Sequence, residues 1–109
     1  MANPADAQKK IQELQMLEQN LQNFLGQKQN FQMQMVEIDS ALEELAKTDK
    51  AYKIVGNLMI SSKKDELETE LKGRKEMTEL RIKSIEKQEK ALKDRAGKLQ
   101  KEVLGEMEE

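Results

Sequence analysis

The sequence predicts a mainly α-helical protein in which a long antiparallel two-helix coiled coil is connected by a single central β-hairpin. Charged residues make up 37% of the 109 residues and aromatic residues only 3%, which leaves too few large side chains for a globular core. Apolar residues recur at alternating spacings of 3 and 4 on both sides of the centre. Between them, residues 51–61 lose this period and gain β-formers. We expect one domain over 1–109, with helices over 5–47 and 63–106.

The first helix begins near Pro4, which a helix tolerates in its first turn. From position 14 to position 45, nine of the ten residues at the 3-and-4 spacing are apolar, and the tenth is Lys28. The nine are Leu14, Leu17, Leu21, Phe24, Phe31, Met35, Ile38, Leu42 and Leu45. A pattern sustained over this length predicts the seam of a coiled coil.

The surface beside this seam is unusual, because residues 8–34 contain nine Gln and three Asn but few charges. Met16, Leu25 and Met33 also lie just off the seam. Helix geometry favours a widened core stripe as their role. The alternative is an adhesive surface on which flexible methionines adapt to varied partners.

The hairpin is predicted from two short runs of β-formers, 52–55 and 58–61, separated by the turn-forming pair Gly56-Asn57. Both faces of each run are largely apolar, so both faces need cover. A lone two-stranded hairpin is marginal in water, and the helices can cover one face at most. We therefore expect other chains to supply the missing strands, which makes the hairpin an assembly device.

The second helix is predicted to start with Ser62 as its N-cap, with Asp65 three residues later in a capping-box-like arrangement. Its seam is clear from residue 82 onwards and consists of Ile82, Ile85, Glu89, Leu92, Ala96, Leu99 and Val103. Further upstream the pattern is weaker, since Met77 and Leu80 fall off the seam. We interpret Lys28 and Glu89 as register devices or solvent-reaching side chains rather than as a functional ion pair.

A helix, a short hairpin and a second helix fold back on themselves, so the two seams meet antiparallel. Residues whose numbers add up to about 110 then lie side by side, to within about one helical turn. Both termini lie at the same end. The second helix overshoots the first, which leaves Val103, Leu104 and Met107 with little to pack against.

Several classes of function are disfavoured by composition. The sequence has no His and no Cys, so the usual metal ligands and nucleophile–base pairs cannot be built. We therefore expect no enzyme activity, no cofactor and no metal site. The net charge of −2 is interspersed, and no apolar run approaches the roughly 20 residues of a membrane span, so we expect neither nucleic acid nor membrane as a partner. The absence of Cys and of a signal-peptide pattern favours a cytoplasmic location.

The central residues carry a resemblance to a known family. Tyr52-Lys53-x-x-Gly56, then Leu58-Met59-Ile60, then the letters KDEL at the start of the second helix resemble the beta class of the prefoldin family, and its archaeal members most. A single hairpin distinguishes this class from the alpha class, which has two. The resemblance covers essentially the whole chain.

The resemblance implies a molecular chaperone that works without ATP. Beta subunits join alpha subunits in a hetero-hexamer of two alpha and four beta chains, whose hairpins combine into intersubunit β-barrels. The tips of the coiled-coil arms hold unfolded proteins and deliver them to a group II chaperonin.

Carried onto this sequence, the oligomerisation hairpin comprises Tyr52, Ile54, Val55, Gly56, Leu58, Met59 and Ile60. The client-binding tips comprise Ile11, Met16, Leu17, Leu21, Leu25, Leu99, Val103, Leu104 and Met107.

Two other functions remain open. One is a structural coiled-coil spacer, which would have no use for a doubly apolar hairpin. The other is a subunit of a prefoldin-like complex dedicated to the assembly of particular partners, because a fold does not by itself determine function. Such a factor would be selective in a pull-down against a panel of denatured proteins.

Overall fold

The chain is helical on both sides of a small sheet. The computed structural model describes residues 4–108. Helix α1 (Pro4–Ala46) is followed by strands β1 (Ala51–Val55) and β2 (Leu58–Ser62) and then by helix α2 (Lys64–Glu108). The two strands form an antiparallel two-stranded sheet. The predicted fold class is thus confirmed.

The end of α1 directs the chain into the hairpin. The N–H of Lys47 donates to the carbonyl of Glu44 at 3.1 Å, which tightens the last turn. The hydroxyl of Thr48 then accepts from the N–H of Lys50 at 3.2 Å. A side-chain bond of this kind stabilises a local turn, so β1 begins directly after it.

The start of α2 differs from the prediction. Ser62 is the last residue of β2, where it pairs with Ala51. The carbonyl of Lys63 accepts the N–H of Leu67 at 3.0 Å, so Lys63 flanks the helix. The expectation that Ser62 is the N-cap was wrong, because the strand ladder extends one residue further and includes it. Acidic residues still occupy the first turn, where the helix dipole favours them.

The predicted seam is the core. All ten α1 positions and all seven α2 positions of the predicted seam are buried or half-buried. Upstream of residue 82, the α2 seam continues through two polar residues, Lys75 and Thr78. The Lys75 ammonium reaches the carboxylate of Asp39 at 2.8 Å, and the Thr78 hydroxyl donates to the carbonyl of Arg74 at 2.8 Å. The apolar pattern is weak here because the seam itself is polar.

The methionines and leucine beside the α1 seam do not widen the core. Met16, Leu25 and Met33 are all exposed. A pair of helices buries only a narrow stripe on each partner, and residues next to that stripe face solvent. The interpretation as a widened core stripe was therefore wrong.

Packing divides the chain into two compact units. The hairpin unit is Asn30–Ile82, and the terminal unit combines 4–29 with 83–108 among the described residues. The buried apolar residues of the terminal unit are Leu17, Ile85, Leu99 and Val103. Those of the hairpin unit are Leu45 and Ala51.

The helices are antiparallel within each unit. In the terminal unit Glu13 meets Arg95 at 3.2 Å, and in the hairpin unit Asp39 meets Lys75. The numbers in these two pairs add up to 108 and 114. Both values are within about one turn of the predicted 110.

Candidate functional site

The hairpin presents apolar side chains on both of its faces. In the register of the sheet, Ile54 lies opposite Met59, and Val55 lies opposite Leu58. Because cross-strand partners share a face and neighbouring residues alternate, these two pairs lie on opposite faces. Every large apolar side chain from position 52 to position 60 is between 48% and 70% exposed. The single chain therefore leaves both faces of its sheet uncovered.

The hairpin is closed by a tight turn. Gly56 has a φ of 60°, a backbone conformation that L side chains rarely adopt. It occupies the first of the two turn positions between Val55 and Leu58, where glycine is favoured in a type II′ turn. The sequence prediction of a two-residue Gly56-Asn57 turn is correct.

One ion-paired network ties the hairpin to α2. The ammonium of Lys53 on β1 donates to both carboxylate oxygens of Glu70 at 3.2 Å. Arg74 donates to the same carboxylate at 3.1 Å. The hydrogen bond from Lys53 has the largest effect and lowers the pKa of the Glu70 carboxyl. Desolvation opposes it, while the charge of Lys53 and the charge and hydrogen bond of Arg74 add to the lowering. These contacts orient the sheet on the helix without covering its apolar faces.

Two cavities lie beside the sheet. One of about 320 Å³ and one of about 390 Å³ share Ala41, Tyr52, Leu67 and Leu71 as lining residues. Their lining is more apolar than polar, and it adjoins the exposed hairpin. This surface suits contact with apolar side chains from another chain.

The terminal unit buries three of the predicted client-binding residues. Leu99 is 1% exposed, and Leu17 and Val103 are also buried in the seam. Their side chains are therefore not available to a client. The expectation that Val103 has little to pack against was wrong, because the α2 seam continues to this residue while its neighbour Leu104 points away.

Five of the predicted client-binding residues do face solvent. They are Ile11, Met16, Leu25, Leu104 and Met107, and Met107 is the most exposed at 72%. Leu21 is half-buried in the seam. The accessible apolar surface of this unit thus comes from positions next to the seam rather than from the seam itself.

Ion pairs hold the ends of the two helices together at the terminal unit. The ammonium of Lys10 contacts the carboxylates of Glu106 and Glu102, the latter at 3.5 Å. The hydrogen bond that Lys10 donates to Glu106 is the main cause that raises the pKa of Lys10. These pairs fix the terminal ends of α1 and α2 beside the exposed apolar residues.

A seam ion pair was not anticipated. The ammonium of Lys28 meets the carboxylate of Glu89 at 2.8 Å, and the Glu89 side chain is only 8% exposed. Of the two expected roles, register device or solvent-reaching side chain, the second was wrong for Glu89, because its side chain is buried in an ion pair. The available signal was their opposite charge at two seam positions that an antiparallel alignment brings close together.

The hairpin unit also exposes apolar residues, of which the sequence analysis placed Met77 and Leu80 off the seam but missed Val36. Val36 on α1 is more than half exposed, as are Met77 and Leu80 on α2. Arg81 lies over the ring of Phe31, with its guanidinium carbon 5.7 Å from the ring centroid. The signal for Val36 was its position one residue after a seam residue, Met35.

Residues 4–108 contain neither a cluster of metal-binding side chains nor a membrane-spanning segment. Acidic residues do not gather into any group that could hold a metal ion. Neither helix contains an apolar segment long enough to cross a membrane.

Comparisons with known proteins agree on one family. The family model described as "Prefoldin subunit" matches residues 8–108. Prefoldin subunit beta of Archaeoglobus fulgidus is 35% identical over 103 residues, covering 92% of this chain and 89% of the relative. Prefoldin subunit beta of Methanospirillum hungatei is 38% identical over 104 residues, covering 93% and 87%. The crystal structure of the prefoldin beta subunit from Thermococcus strain KS-1 superposes with a TM-score of 0.87, at 33% identity and 96% coverage of both chains.

Proposed function

The chain belongs to the prefoldin family of subunits, and on that premise we propose that it is a subunit of an ATP-independent holdase chaperone. It binds non-native proteins through exposed apolar side chains of the terminal unit and delivers them to a group II chaperonin. The observation that carries the proposal is the presence of five exposed apolar residues next to the seam in the terminal unit. A spacer would gain nothing from this surface.

The hairpin is the assembly surface in this proposal. Its side chains are exposed on both faces, so burial by strands of other subunits removes a large apolar area from water. The partners are alpha-class subunits and further beta-class subunits, in a hexamer of two alpha and four beta chains. The hairpins of neighbouring subunits extend one another's sheets into barrels, which leave no unpaired strand edge.

Assembly of several subunits into one complex also explains how a client is held without nucleotide. Each terminal unit offers a few apolar side chains, so one subunit binds a client weakly. Several subunits in one complex raise the effective concentration of sites and therefore the avidity. Because each contact is weak, clients leave one arm at a time, and release needs no ATP.

An aggregation assay tests this proposal. A chemically denatured enzyme is diluted into buffer without ATP, with or without the complex of this chain and an alpha-class subunit, and light scattering is recorded. We expect suppression near stoichiometric amounts and recovery of enzyme activity on addition of a group II chaperonin with ATP. A verified complex that fails to suppress aggregation of a panel of denatured proteins, yet captures one particular partner, would contradict the holdase function and support a dedicated assembly factor.

A further inference from the structure

We propose, on the basis of the proposed holdase function, that the terminal unit binds its client along one flank only and that this flank favours apolar segments that also carry carboxylates. The two flanks are defined by the seam. Residues directly after a seam residue form the trailing flank, and residues directly before one form the leading flank. Helical geometry places these two sets on opposite sides of the seam.

One ion pair shows how the flanks of the two helices meet. Glu13 directly precedes the seam residue Leu14, and Arg95 directly precedes Ala96. The Arg95 guanidinium donates to the Glu13 carboxylate at 3.2 Å. The leading flanks of α1 and α2 therefore adjoin each other, and the trailing flanks adjoin on the opposite side of the terminal unit.

Charged side chains of the leading flank form ion pairs within the terminal unit. Besides the Glu13–Arg95 pair, Lys10 contacts Glu102, which directly precedes Val103. Among the large apolar residues that the structure describes on this flank of the terminal unit, Met16 alone is exposed. This side offers a client little apolar surface.

The trailing flank carries the remaining exposed apolar residues of the terminal unit. Leu25 on α1 and Leu104 on α2 directly follow seam residues. Ile11 and Met107 follow Lys10 and Glu106, which continue the 3-and-4 spacing beyond the ends of the predicted seam and contact each other. Exposed glutamines such as Gln22 and Gln100 lie on the same flank. Amide side chains can donate to and accept from a peptide backbone, so this flank combines apolar contact with backbone hydrogen bonding.

The charge of the trailing flank indicates the class of client. Lys83, Lys90 and Lys93 directly follow seam residues of α2 and are exposed. None of the three forms an ion pair within the described residues. The flank also holds two carboxylates, Glu18 and Glu86, and Glu86 contributes to raising the pKa of the seam residue Lys28. These three ammonium groups share the flank with the exposed apolar side chains, so the flank complements a segment that carries both Asp or Glu and apolar residues.

Photo-crosslinking tests the choice of flank. A photoreactive phenylalanine analogue replaces either Gln22 on the trailing flank or its neighbour Asn23 on the leading flank, in the assembled complex. Gln100 and Lys98, which lie on the two sides of Leu99, form a second matched pair. After dilution of a denatured client and illumination, we expect several-fold more client adduct at Gln22 and Gln100. Equal adduct at the two members of both pairs would overturn the inference.

Charge reversal tests the class of client. The triple variant K83E/K90E/K93E changes the trailing flank, and K87E/K98E/K101E makes the same change in net charge elsewhere on α2. Two fluorescent peptides of equal leucine content carry either aspartates or serines. We expect the first variant to bind the aspartate peptide about tenfold more weakly than the unaltered complex does at low salt, and the control variant to bind it nearly as well. Binding of the serine peptide should change little in both.

The outcomes separate this inference from the proposed function. Equal weakening of aspartate-peptide binding in both variants indicates a general effect of net charge and overturns the preference for carboxylates. The holdase function still stands in that case if the unaltered complex suppresses aggregation. If the unaltered complex neither suppresses aggregation nor forms any client adduct, both the proposed function and the choice of flank are contradicted. Tighter, equally lysine-dependent binding of a single-stranded oligonucleotide would assign the flank to nucleic acid and overturn a polypeptide client.

Discussion

Lys28 and Glu89 place opposite charges inside an otherwise apolar seam of the terminal unit. Their 2.8 Å contact accompanies near-complete burial of the Glu89 side chain. The hydrogen bond to Glu89 is the main cause that raises the pKa of Lys28. A slip of one helix by a turn would leave both charges against apolar neighbours, which is unfavourable. The pair therefore specifies the antiparallel register, as single polar seam residues do in other coiled coils.

Removing one member of this pair should cost more stability than removing both. We expect Lys28→Met to lower the melting temperature by several degrees, because Glu89 remains buried without its partner. The double variant Lys28→Leu/Glu89→Leu should recover most of the loss, since it completes the apolar seam. Circular dichroism melting measures both, with the exposed Lys87→Met as the matched control. A double variant less stable than Lys28→Met would contradict the register role.

The pKa of Glu70 predicts where its contact with Lys53 loses its effect. The carboxyl pKa is lower in the folded chain, so the contact stabilises the fold fully above the unfolded value of about 4.3 and loses this effect as the pH falls through the folded pKa. We expect Glu70→Gln to melt at a lower temperature than the unaltered chain at pH 7. The difference should close in acid below about pH 4.

The contact between Lys75 and Asp39 has the opposite pH dependence and serves as a control. The hydrogen bond that its ammonium donates to Asp39 raises the pKa of Lys75, so this contact stabilises the fold below the unfolded value of about 10.4 and loses that effect as the pH rises through the folded pKa. The melting difference between Lys75→Met and the unaltered chain should therefore be present at neutral pH and close only in strong alkali. A Glu70→Gln difference that instead grew in acid would contradict the assignment.

At the scale of elements, the hairpin is the one that the chain cannot complete alone. Its strands expose apolar side chains on both faces, whereas each helix buries one stripe against the other. The hairpin is nevertheless well specified locally, by the Gly56 turn and by the Lys53–Glu70 contact. An element that joins subunits needs a conformation fixed within its own chain and apolar faces left exposed for other chains, and the hairpin has both.

A single charge in the hairpin should separate assembly from folding. We expect Leu58→Asp to abolish most of the complex with an alpha-class subunit, because a carboxylate in a buried sheet interface is strongly unfavourable. Helical content should remain high, since Leu58 lies outside both helices. Size-exclusion chromatography with light scattering and circular dichroism measure the two properties.

The neighbouring Asn57→Asp variant is the matched control for this experiment. It introduces the same carboxylate one residue away, in the turn rather than in a strand. We expect it to assemble normally. Normal assembly of Leu58→Asp as well would show that the hairpin faces do not form the interface.

At the scale of the whole molecule, sequence period alone located the seam in both helices. Every predicted seam residue is buried or half-buried, because alternation of 3 and 4 fixes which side of a helix faces its partner. Apolar spacing did not predict the seam positions Lys75 and Thr78, because these residues are polar and are held by an ion pair and a hydrogen bond.

The candidate site was less predictable than the fold. The sequence placed Val103 among the accessible residues, but the structure buries it and exposes Leu104 beside it. The outcome depends on how far the two helices pack at their ends, which rests on contacts such as Lys10 with Glu102. Those contacts join residues far apart in the chain, so no local pattern contains them.

We propose that non-native proteins bind at exposed apolar residues of the terminal unit. Two pairs on α2 allow a matched test, because each contains one Leu and one Met three residues apart and all four side chains are more than half exposed. Leu104 and Met107 lie in the terminal unit, and Met77 and Leu80 lie in the hairpin unit.

The most direct measurement is therefore aggregation of a denatured client in the presence of the assembled complex and without ATP, with either pair replaced by serine. We expect Leu104→Ser/Met107→Ser to lose most of the suppression and Met77→Ser/Leu80→Ser to keep it. Full suppression by the first variant, or equal loss in both, would show that clients do not bind at these residues of the terminal unit.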